Sequence, residues 1–116
     1  MSRFLAAILF GSAMLMEAQP AKAEWKWAHE YLDACEPSSP DWQICAAYIR
    51  GYLGAINHAV ANKRTKSPFC LPEGISTEEV ARTFRDFTAK ASFVSVFAME
   101  GALDNALGVT FQCRVS

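Results

Sequence analysis

The chain has 116 residues, room for one domain, and 11 basic residues against 12 acidic ones leave a formal net charge of −1. That balance provides no basic face for nucleic acid or for an anionic membrane surface. Four cysteines set the redox context: in a short exported chain an even number reads as two disulfides.

The first residues read as a leader. Met1-Ser2-Arg3 is a short basic start, Phe4 to Met16 is a largely apolar run, and Ala21-Lys22-Ala23 places small residues where a signal peptidase reads. The apolar run is too short and wrongly flanked for a membrane span. The expected division is therefore a signal peptide over 1–23 and a single helical domain over 24–116. Loss of Arg3, Glu17 and Lys22 on cleavage takes the net charge from −1 to −2. The style of the signal points to the periplasm.

Glu24 to Ala34 reads as a short helix with Trp25, Ala28, Leu32 and Cys35 near one face, and Trp27 and Tyr31 on the other. Glu36 to Pro40 breaks the chain with two prolines. Ser39 to Asn62 is the longest periodic stretch. Ser39 or Asp41 can cap it, Pro40 suits the first helical position, and Ile44, Tyr48, Tyr52, Ile56 and Val60 recur every four residues. Ile49, Leu53 and Ala59 widen that stripe, so a central helix with the rest of the chain packed along it is expected.

Lys63, Arg64 and Lys66 follow at the helix C-terminus, where the dipole favours cations. Phe69 to Gly74 reads as a rigid, crosslinked loop. Ser76 and Glu79 then form a capping box, with Ile75 positioned to staple onto Val80. This helix should bury Val80, Phe84, Phe87 and Ala91. A further helix over Phe93 to Leu107 offers Phe93, Val96, Phe97, Leu103, Ala106 and Leu107 to the core, with Gly108 as its cap. The expected fold is all-α, a small disulfide-braced bundle of three to four helices. In an up-down-up arrangement Cys35 pairs most simply with Cys45 at one end, and Cys70 with Cys113 at the other.

Catalytic or metal chemistry finds little to use. His29 and His58 are the two histidines, and no CxxC or HxxxH spacing occurs. Paired cysteines supply no thiolate nucleophile. Glu100 and Asp104 lie one helical turn apart and can present two carboxylates, which a solvated helix face also explains. Gly51, Gly54 and Gly101 cost helix propensity, and close helix–helix approach is the expected reason. No enzyme activity, cofactor or metal is expected.

Several of these residues together resemble the Rap/Tai family of immunity proteins associated with type VI secretion. The resemblance rests on the exported leader, on CxxYIxG at Cys45, Tyr48, Ile49 and Gly51, on FCLPEGIS at Phe69 to Ser76, and on Ala106-Leu107 followed by Phe111-Gln112-Cys113. It spans Cys35 to Cys113. The chain departs from the family pattern at Gln112, where proline is frequent, and at Ala89 to Ser92, where a proline-containing break is usual. The resemblance implies a helical periplasmic protein, often dimeric, that binds and occludes a secreted peptidoglycan amidase. Lys63, Arg64 and Lys66, with the Glu100/Asp104 face, are the candidate partner-binding residues. The alternative is an acid-stress periplasmic chaperone like the Hde proteins, or another small envelope binding protein.

Overall fold

The computed structural model describes residues 25–114, and the expected leader lies outside them. Four α-helices and a 3₁₀ turn follow one another: α1 (Ala28–Tyr31), α2 (Trp42–Ala61), α3 (Thr77–Lys90), the 3₁₀ turn (Ser92–Val96) and α4 (Met99–Thr110). The fold is all-α, with three long helices and two disulfides.

Helix α3 forms where its sequence directs it. Glu79 N–H donates to Ser76 Oγ at 3.1 Å, and Ser76 N–H donates to Glu79 Oε1 at 3.3 Å, which satisfies two of the helix's orphan donors. Val80, Ala81, Phe84 and Thr88 are buried. Phe87 and Ala91, expected in the core, are only half-buried, because the buried face is turned toward Ala81 and Thr88. Helix α3 packs against both α2 and α4, whereas α2 and α4 meet sparsely. The core is thus built around α3, not around the longest helix.

Helix α2 starts at Trp42, with Asp41 as its N-cap residue, so Pro40 precedes the helix instead of opening it. Its buried residues are Cys45, Ala46 and Ile49. Beyond Ile49 no residue of α2 is fully buried. The four-residue stripe is real, but its members Tyr48, Tyr52 and Ile56 are half-buried and Val60 is exposed. The expectation that the whole chain packs along this helix is corrected: its first half is core, and its second half projects with one edge, Tyr52, Leu53 and Ile56, half-buried against the core.

The segment expected as a first helix is a single turn. Backbone pairing claims the residues before it: Ala28 N–H donates to Phe97 C=O at 2.8 Å and Met99 N–H to Lys26 C=O at 2.9 Å, an isolated bridge between Trp27 and Ala98. Tyr31 is buried, its ring between Trp25 (5.4 Å, edge-on) and Tyr48 (5.1 Å). The same pairing decides what happens after Lys90. Phe97 and Ala98 are extended so that they can meet Lys26 and Ala28, which delays the last helix to Met99. Phe93 and Val96 therefore lie on the 3₁₀ turn, 63% and 67% exposed, while Val94, Met99 and Ala102, which the sequence did not single out, fill the core in their place. Leu103, Ala106 and Leu107 are buried as read from the sequence. Gly108 does not end the helix, which runs on to Thr110.

Cys35 is bonded to Cys45 and Cys70 to Cys113, the pairing that the antiparallel arrangement implied. In the chain-entropy account their separations of 10 and 43 residues correspond to about 3 and about 4 kcal/mol. Such bridges belong to an oxidising compartment. No helix among the described residues is long and apolar enough to cross a membrane. The two bridges differ in exposure, since Cys35 and Cys45 are fully buried and Cys70 and Cys113 are exposed. A limiting dose of thiol reductant should open Cys70–Cys113 first. Timed alkylation and peptide mapping check this, and simultaneous or reversed opening would contradict the described burial.

Glu30 ties the N-terminal segment down by accepting from the backbone N–H groups of Lys26 at 2.9 Å and Trp27 at 2.8 Å. Those two bonds, the Lys26 one foremost, hold its carboxyl below the ordinary 4.5. A depressed carboxyl pKa stabilises above the unfolded value, and the contribution is lost as pH falls through the folded one. Hydrogen exchange at the Met99 amide should therefore be slower in the native protein than in Glu30→Gln at neutral pH. The difference should vanish in acid; a gap that persists or widens there would refute the latch.

Candidate functional site

The projecting half of α2 leaves a groove of about 780 Å³ between it, the first turns of α4 and the loop that follows α2. Its floor is a ridge of small side chains, Ala47, Gly51, Ala55 and Ala59, at a spacing of four. Residues four apart on a helix lie one above another, so this ridge is continuous and open. Tyr48, Tyr52 and Ile56 form an adjoining row, Glu100 and Asp104 stand on the α4 rim, and Thr65, Lys66 and Pro68 stand on the loop rim.

Two contacts set the shape of the groove. The Tyr52 hydroxyl donates to Asp104 Oδ1 across the gap between α2 and α4. Burial first, and then that hydrogen bond, push the Tyr52 phenol far above its ordinary range, so it stays protonated and keeps donating. The Tyr48 phenol is also raised, by burial and then by the charge of Glu100. On its other side Tyr52 stacks on Phe69, with ring centroids 6.3 Å apart. Phe69 is buried and anchors the loop, and Cys70 N–H donates to Phe111 C=O at 2.8 Å beside the Cys70–Cys113 bridge.

The loop leaves α2 through a Schellman closure. Arg64 N–H donates to Ala59 C=O at 2.9 Å and Lys63 N–H to Val60 C=O at 3.0 Å. Lys63 occupies the left-handed position of this motif at φ 57°, the place glycine ordinarily takes. Of the candidate partner-binding residues, the structure brings Lys66, Glu100 and Asp104 to one groove. Lys63 and Arg64 are exposed on the helix cap and are not part of its lining.

Close helix approach does not explain the glycines of α2. A Cβ built on Gly51 or Gly54 would meet no atom within 4 Å, and one on Gly101 would touch Phe97 at an ordinary 3.9 Å. The sequence reading also placed Tyr48 and Tyr52 in the core and overlooked the small-residue ridge. The signal was present, as Ala47, Gly51, Ala55 and Ala59 repeat at four like the apolar stripe beside them. Among the described residues, no group of three or more His, Cys, Asp or Glu side chains could hold a metal. The groove offers an apolar channel with acidic and basic ends, suited to binding.

Comparison with family models, with curated proteins and with solved structures finds no match to the chain. The likeness to the Rap/Tai family therefore rests on its motif residues alone.

Open space around Gly51 and Gly54 leads to a stability prediction. Gly51→Ala and Gly54→Ala should each stabilise the protein by about 0.5–1 kcal/mol, through helix propensity with no clash to offset it. Lys63→Gly should stabilise by about 1 kcal/mol by relieving the left-handed lysine. Urea titrations of the oxidised protein measure all three. Destabilisation by either alanine would mean that a neighbour does occupy that space.

Proposed function

We propose that this chain is an exported inhibitor that binds and occludes a peptidoglycan-cleaving amidase of a type VI secretion system, working in the periplasm. The chemical family comes from the Rap/Tai resemblance. The observation that carries a binding role is the preformed groove on the projecting half of α2, walled by a loop that a disulfide holds in place. Surfaces fixed in advance lose less entropy when a partner docks, which suits a protein whose work is done by contact. Occlusion also asks for no acid, base or nucleophile on the inhibitor's own side.

Trp27, Phe93 and Val96, exposed beside the Glu30 latch, favour a second reading, an acid-stress chaperone that uncovers apolar surface as Glu30 is protonated. Capture by the oxidised protein from envelope and secreted fractions, at neutral and at acid pH, separates the two. The inhibitor reading expects one stoichiometric amidase at neutral pH, whose cleavage of peptidoglycan then falls. Many clients appearing in acid alone would replace it with the chaperone. Reversing charge at Lys63, Arg64 and Lys66, or at Glu100 and Asp104, should weaken amidase capture about tenfold or more, and a set whose reversal changes nothing is not in the interface.

A further inference from the structure

We propose that the groove between α2 and α4 is a receptor for a cationic side chain carried on an apolar segment of the partner polypeptide. This deepens the reading of the groove as the partner-binding face and rests on it. The argument starts from what the α4 rim can do. Glu100 and Asp104 are one turn apart on α4 and both line the same opening. Among the described residues the one ion pair is Arg85 with Glu36 at 2.7 Å, elsewhere on the surface, so neither rim carboxylate is paired with a cation among those residues.

The neighbouring phenol adds to this preference. Tyr52 spends its proton on Asp104, which leaves its oxygen able only to accept. Asp104 keeps unused lone pairs, and Glu100 accepts no hydrogen bond from another side chain among the described residues. This end of the groove is therefore rich in acceptors beside an aromatic face, an environment that favours a charged N–H donor over a neutral or anionic group.

The remaining surface specifies what surrounds that cation. The floor of alanines and Gly51 admits close approach by backbone or by aliphatic side chains. Lys66 on the loop rim repels a second cation there, so the occupant is oriented, with its positive group at the α4 end. An arginine flanked by small or branched aliphatic residues meets all three conditions, and its planar fork can bridge two carboxylates.

The probe is a blocked peptide of sequence Ala-Leu-Arg-Ala-Leu, titrated into the isotope-labelled oxidised protein while amide shifts are followed. A second peptide replaces the arginine by neutral, nearly isosteric citrulline. The expected result is saturable shifts at Gly51, Ala55 and Asp104, with the citrulline peptide bound about tenfold more weakly or worse. The double variant Glu100→Gln, Asp104→Asn should lose the same factor while its remaining spectrum stays native-like. Gly51→Leu, which fills the floor, should abolish the shifts with both peptides.

Equal affinity for the arginine and citrulline peptides, shifts confined to the Lys63–Lys66 segment, or no shifts at millimolar peptide would overturn the proposal. The two levels of inference fail separately. Peptide binding without amidase capture would leave the cation receptor standing and remove the inhibitor reading. Amidase capture weakened by Gly51→Leu and untouched by the carboxylate variants would keep the groove as the interface and remove the cation.

Discussion

The structure depends on a mismatch of lengths. Helix α2 has 20 residues, while α3 and α4 have 14 and 12. At 1.5 Å per residue, that is about 30 Å of helix against partners of about 21 and 18 Å. The excess leaves part of α2 without a helical partner, and the helix contributes fully buried residues only up to Ile49. The stacking of Tyr52 on Phe69 and the bond from Tyr52 to Asp104 attach this free half to the loop and to α4. A groove is what remains when a long helix is braced at its edges instead of covered.

Local chemistry made much of the fold legible in the sequence. The capping box at Ser76 and Glu79 acts through atoms three residues apart, so no tertiary context was needed to find it. The disulfide pairing followed from the order of the helices and from which chain ends meet. The last helix was placed too early because its boundary is set from a distance: Phe97 and Ala98 are held extended by Lys26 and Ala28, some seventy residues away in the chain. Phe93 and Val96 look like core residues on any periodicity argument, and they lose that place when the segment becomes a 3₁₀ turn.

The candidate site was legible in part for a related reason. Periodicity shows which residues of α2 share a face, but not whether anything lies opposite that face. Tyr48 and Tyr52 were thus grouped correctly, but they pack at the edge of the core, half-buried, with one side open to the groove. Lys66, Glu100 and Asp104 were singled out by charge, and their meeting at one groove is a product of the turn after α2 and the path into α4. Along the same stretch three residues run against local stability. Gly51 and Gly54 stand where alanine would serve the helix better, and Lys63 stands where glycine would serve the cap better. Conflicts between local preference and adopted structure gather where a surface has a second task.

The contrast between the two bridges makes the shape of the groove depend on where the protein is. Cys35–Cys45 is enclosed by the core and fastens the end that packing already holds. Cys70–Cys113 lies at the surface and fastens the loop that carries Lys66 and Phe69. In surroundings that keep thiols reduced, the covalent tie between that loop and the C-terminal tail is absent, and one wall of the groove relies on Phe69 and a single backbone bond. Passage into oxidising surroundings supplies the missing link. The wall of the groove is in this sense complete only where thiols are oxidised, and a reduced chain carries an unfinished form of it.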